Sequence, residues 1–215
     1  MKNELLLQGG TRHAQPYRKI VRVLLIAAFL IVALYYLWTR GFLYFRYSRA
    51  VYTDYFWYRA PWLLLHVVGG IAATLTGMLQ FVPAIRARYP RLHRALGKTY
   101  LGSVVIAAGA SFYLVSTSQL GLPYAVGLAM LGVVWLSNSL MAWLAIVRGN
   151  VAMHREWMIR SYVVTLSFVI FRLVEDLLVK MNISSFVERK VLMAWACWAI
   201  PLFFTELILQ FRKLN

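Results

Sequence analysis

Six stretches of this chain are apolar for roughly 20 residues apiece, the length at which a helix spans a hydrocarbon core of about 30 Å. They cover residues 20–38, 62–85, 99–117, 123–147, 157–179 and 191–211. Lipid tails offer no hydrogen-bond partner to a peptide group, so a spanning segment must satisfy its own backbone. Runs of this length are therefore read as helices. The expected fold is all-α, a single-domain polytopic transmembrane helical bundle occupying residues 20–211. A basic tail, 1–19, precedes it and a short tail, 212–215, follows it. Composition agrees: 14% of residues are charged, against about 25% in a soluble domain.

Orientation follows from the basic residues outside the spans. Counted with the N-terminus inside, thirteen Lys and Arg fall on the cytoplasmic side and seven on the other. Both termini are thus expected in the cytoplasm of a bacterial plasma membrane. The chain holds 23 Lys plus Arg against 7 acidic residues. In a soluble protein that excess would suggest nucleic acid. Here the basic residues crowd the ends of apolar runs, where they meet anionic lipid headgroups. The bilayer is the expected partner, and nucleic acid is not. The first run is too long for a signal-peptide core and is expected to stay as an anchor.

Residues 40–61 form an outer segment rich in aromatic side chains, among them Tyr44, Tyr47, Tyr52, Tyr55 and Trp57. Aromatic rings with a polar tip favour the headgroup layer. The segment is expected to lie along the outer interface.

Polar residues inside the spans fall into stripes. Steps of four and three connect His154, Met158, Ser161, Thr165, Phe168, Arg172 and Glu175 on one helical face. A second stripe runs His66, Gly70, Ala73, Gly77, Gln80, and Gly102 and Gly109 stand on the third span. Small residues of this kind let another backbone, or a flat ligand, approach closely. His66, Arg172 and Glu175 fall at similar depth near the outer end, a possible cluster or a structural ion pair. At the cytoplasmic end, Leu92-His93-Arg94 precedes the third span and His154-Arg155 the fifth. Gln80, Arg160 and Glu206 lie at nearby depth on their own helices. Ionisable groups within a bilayer are costly and are commonly functional or paired.

His66, His93 and His154 are candidate ligands, with Arg94, Arg155 and Arg160 as candidate contacts for an anion or a propionate. Gln80, Arg172, Glu175 and Glu206 are polar groups expected in the bundle interior. Two opposed imidazoles can ligate haem iron axially, so haem b is the candidate cofactor. A zinc or copper site needs three or four close ligands, and His66 lies toward the opposite side from the other two. Cys197 is the single cysteine, which rules out an intramolecular disulfide and a thiolate cluster. No metalloprotease or phosphate-cradling motif is present, and hydrolytic chemistry is disfavoured.

The ordered string of His66, Gly69, Gly77 and Gln80, then Arg91-Leu92-His93-Arg94 with Gly97-Lys98 and Tyr100, then His154-Arg155 with Trp157-Met158-Ile159-Arg160-Ser161, resembles a known family. It is similar to the predicted multi-span membrane proteins grouped as domain of unknown function 2306, over roughly residues 62–206. The resemblance implies the multi-span architecture and draws attention to His66, His93 and His154, and it implies no reaction. A fainter likeness is to b-type membrane cytochromes and ferric reductases, which also place histidines at helix ends. Two-haem members use four bundle histidines, whereas this chain offers three, with His13 in the tail. A haem-associated or electron-transfer role is the leading expectation. A small-solute or proton transporter and a non-catalytic membrane scaffold or assembly factor are the alternatives.

Overall fold

A computed structural model describes residues 14–214; the candidates on residues 1–13, His13 and the start of the basic tail, lie outside the described part. All regular structure among these residues is helical. Helix α1, Ala14–Tyr36, continues through a π-helical turn, Leu37–Gly41, and a 3₁₀ turn, Phe42–Arg46. There follow α2, Arg49–Trp57; α3, Ala60–Gln80; α4, Pro83–Arg88; and α5, Pro90–Ser116. The chain ends with α6, Leu122–Val147; α7, Val151–Thr165; α8, Ser167–Lys180; and α9, Phe186–Leu214. Five segments are long and apolar enough to cross a membrane: Ala27–Arg46, α3, α5, α6 and α9.

Local chemistry sets several boundaries. Proline stands in the first two positions of α3, α4, α5 and α6, where its missing N–H would have had no helical partner. Gly149, at φ +74°, turns the chain between α6 and α7 in a conformation that side chains rarely adopt. Asn150 then caps α7, its side chain accepting from the Met153 N–H at 3.0 Å. Helix α9 runs unbroken through Pro201.

The expected fifth span, 157–179, is two helices. They meet at Leu166 with φ −82° and ψ 1°, and neither proline nor glycine marks the joint. The Thr165 hydroxyl donates to the Ser161 carbonyl at 3.0 Å. A second difference lies at α5, which starts at Pro90, well before residue 99. His93 is therefore inside the same helix as Tyr100.

Helices α3, α5, α6 and α7 pack in a ring, each against the next, with α5 and α7 facing across the diagonal. Helix α9 covers α6, α7 and α8, and α1 reaches α8. The ring encloses the main apolar core, including Tyr100, Val104, Ala107, Ala142, Met158 and Val164. The aromatic segment, residues 40–61, folds on itself: Tyr52 is fully buried, and its hydroxyl donates to the Tyr44 carbonyl at 2.9 Å. Arg59 ties this segment to the end of α5, donating to the Thr117 carbonyl at 2.9 Å and stacking over Tyr55. Burial raises the Tyr55 phenol, yet hydrogen bonds from the Gln119 N–H, Arg59 and Ser118 outweigh it and hold the group below its ordinary range.

The glycines divide by facing. A Cβ on Gly69 would come within 2.9 Å of Ala107, and one on Gly77 within 2.5 Å of the Tyr162 ring. Gly70, Gly102 and Gly109 face open space and do not form the seam. Gly77→Ala is expected to cost about 1–3 kcal/mol by overpacking, whereas Gly102→Ala should be neutral or mildly stabilising. Thermal unfolding in detergent decides this; equal midpoints for the two variants would contradict the packing described.

Candidate functional site

The centre of the ring is polar. Tyr100 reaches from α5 across the diagonal to α7, its hydroxyl 2.6 Å from Ser161 Oγ and 2.8 Å from Thr165 Oγ1. Helix α6 contributes Ser139, 2.7 Å from Ser161 Oγ, and Trp135, whose indole N–H donates to Thr165 Oγ1 at 2.9 Å. Ser139 donates to the Trp135 carbonyl at 2.8 Å and Thr165 to the Ser161 carbonyl at 3.0 Å, while in the Tyr100–Ser161, Tyr100–Thr165 and Ser139–Ser161 contacts either hydroxyl can donate. The chain of bonds leaves the Trp135 indole, passes Thr165, Tyr100, Ser161 and Ser139, and returns to the Trp135 carbonyl. Every member is buried, and each hydroxyl both donates and accepts, as a bilayer interior demands.

The Tyr100–Ser161 contact also locates two of the histidines. His93 precedes Tyr100, and His154 precedes Ser161, by the same two turns, or roughly 10 Å along each helix. Both imidazoles therefore sit at one level on diagonally facing helices, at the end that bears Arg94 and Arg155. His154 Nδ1 bonds the Ala142 carbonyl of α6 at 2.8 Å, which leaves Nε2 as a lone-pair donor if Nδ1 carries the proton. His93 lies within electrostatic reach of His154 and Arg86. Its Nδ1 is buried without a hydrogen-bond partner among the described residues. Gln80 joins this level by donating to the His93 carbonyl at 2.9 Å.

His66 is elsewhere. Its Nδ1 bonds the Ala107 carbonyl at 2.9 Å, roughly 20 Å along α5 from His93. Arg172 and Glu175 pair with each other at 3.7 Å on α8, a helix that does not pack on α3. Lys190 of α9 completes that site by an ion pair with Glu175. The structure thus brings together Arg172, Glu175 and Lys190, and separately His93, His154 and Gln80, with His66 apart from both. Among the described residues no group of three His, Cys, Asp or Glu converges as a metal site.

Arg160 is engaged away from the histidines. Its Nε and Nη2 hold Glu206 Oε2 of α9 at 2.8 and 2.7 Å, and Nη1 lies 3.6 Å from Glu156. Lys213 binds Glu156 at 2.8 Å. These four charges edge a groove of about 680 Å³ between α6, α7 and α9. Arg94 and Arg155 remain exposed. Sequence periodicity had placed Ser161 and Thr165 on one face, but gave no sign of Trp135, Asn138, Ser139, Glu156 or Lys190. Their significance lies in contacts between helices.

Comparison with known families finds a match to the family described as predicted membrane protein, domain of unknown function 2306, over residues 63–209. No curated protein and no solved structure matches the chain.

The central bonds are testable by isosteric substitution. Thr165→Val leaves the buried Trp135 N–H without its acceptor and is expected to cost about 1–3 kcal/mol. Tyr100→Phe removes bonds while Ser161 and Thr165 keep acceptors for their protons, and should cost less, about 0.5–1.5 kcal/mol. Thermal midpoints in the reverse order would contradict the role given to Thr165 as acceptor of the Trp135 N–H.

Proposed function

The chain belongs to the domain of unknown function 2306 family of membrane proteins, and within that frame we propose that it is a haem-associated electron-transfer protein. The observation that carries the reading is the level placement of His93 and His154 on facing helices, where four-helix bundles build cofactor sites between side chains. The donor set suits haem b. His93 and His154 would hold it through their imidazole nitrogens, and the Ala142 carbonyl orients the His154 ring as an outer partner orients a metal ligand. Exposed Arg94 and Arg155 follow the two histidines in sequence and suit carboxylate contacts, whereas Arg160 is committed to Glu206 and Glu156. Haem bound there would supply one-electron chemistry. His66, at the other end, is the candidate proton-handling group. This reading places the protein in a bacterial plasma membrane, with its basic end among anionic headgroups on the cytoplasmic side.

A second reading, movement of a proton or small solute, is favoured by the joint at Leu166. Discontinuous helices at mid-membrane are a device of secondary transporters. It predicts proteoliposome flux that falls in His66→Ala and Glu175→Ala; flux indifferent to both would dismiss it.

Protein purified in mild detergent from haem-replete cells should show a Soret band and a sharp α-band on dithionite reduction. His93→Ala and His154→Ala should each abolish the reduced spectrum. A featureless spectrum from folded, haem-supplied protein would end the haem reading.

A further inference from the structure

The groove between α6, α7 and α9 carries an inference that goes beyond the histidine site and stands with or without iron. Its volume of about 680 Å³ lies within the roughly 300–1,000 Å³ of small-molecule sites. Trp157, Trp198, Leu202 and Phe203 give it apolar walls. At its floor stands Asn138, 6% exposed, whose Nδ2 has no hydrogen-bond partner among the described residues. A buried carboxamide donor left unpaired is costly. An occupant bringing an acceptor oxygen to this point would remove that cost.

Charge and depth narrow the occupant. Glu156 and Glu206 balance Arg160 and Lys213 in a bonded network, so the edge of the groove is close to neutral and does not select a net anion. Asn138 lies roughly 13 Å along α6 from its end at Val147. Arg160 on α7 and Glu206 on α9 are about as far from the ends of their helices. A phospholipid phosphate stays near the headgroup layer, above this level. A flat ring bearing carbonyl oxygens, dissolved in the bilayer and entering past the exposed Phe203 side chain, reaches it. We propose that this groove binds a membrane-dissolved quinone, with Asn138 Nδ2 donating to a ring carbonyl and Trp157, Trp198 and Phe203 enclosing the ring and its apolar tail.

The test uses full-length protein in phosphatidylcholine nanodiscs and an azidoquinone photoprobe, with labelled peptides mapped by mass spectrometry. Saturable labelling of α6, α7 and α9 segments around the groove, displaced by excess short-chain ubiquinone, is the expected result. Asn138→Leu should reduce displaceable labelling about tenfold, as loss of one buried hydrogen bond implies. Its thermal midpoint should equal or exceed that of the parent protein, because an unpaired amide has been removed. Phe203→Ala, at an exposed position, should weaken labelling several-fold and gives a second reading should Asn138→Leu not fold. Labelling spread over the lipid-facing helices and undiminished by excess quinone would overturn the proposal, as would undiminished specific labelling in both variants. Haem content is not measured, so the outcome is independent of the spectral test of the histidine site.

Discussion

The structure depends on how a polar group survives where water is absent. Tyr100 is fully buried at the centre of the ring of α3, α5, α6 and α7, and it touches the helix diagonal to its own. Diagonal helices in a bundle do not share a packing face, so a long side chain with a polar tip is what connects them. The Tyr100 hydroxyl is accepted there because Ser161 and Thr165 offer it both roles of a hydrogen bond. Ser139 and Trp135 then satisfy those two from α6. One requirement, that nothing polar be left over, thus fixes the relative level of three helices. The level of His93 and His154 follows from it.

Much of the fold was legible in the sequence because its signal is long and local. Apolar runs near 20 residues specify helices, whatever their neighbours, once the solvent is lipid. The stripe through Met158, Ser161 and Thr165 was legible for a similar reason, since helical periodicity alone puts them on one face. Two local features were not. The start of α5 at Pro90 is hidden by the polar composition of Arg91, His93, Arg94 and Lys98, which reads as loop though Pro90 suits a first helical turn. The joint at Leu166 is announced by no breaker residue.

The site was less legible, because its geometry depends on the order of helices around the bundle. Depth along the membrane placed His66 beside Arg172 and Glu175, but depth is one coordinate of two. Helix α3 packs on α5 and α7, while α8 packs mainly on α9. The same ambiguity separates Gly69 from Gly70: neighbours in sequence are about 100° apart around a helix, and Gly69 alone of the two faces a partner. Arg160 and Glu206 lay at matching depth and do meet, since α7 and α9 are adjacent. Lys190, close to the start of α9, gave no periodic signal of the Glu175 pair it makes.

The central loop of hydrogen bonds also has a consequence for traffic through the molecule. It starts at an indole N–H, which has no lone pair in the ring plane to take up a proton, and it ends at a peptide carbonyl, which has none to release. A relay that passes a proton by shifting every bond one place needs both ends free to exchange. This one meets the same residue, Trp135, at both ends. Passage of a proton through Tyr100 by such a relay would require a bond to Trp135 to open first.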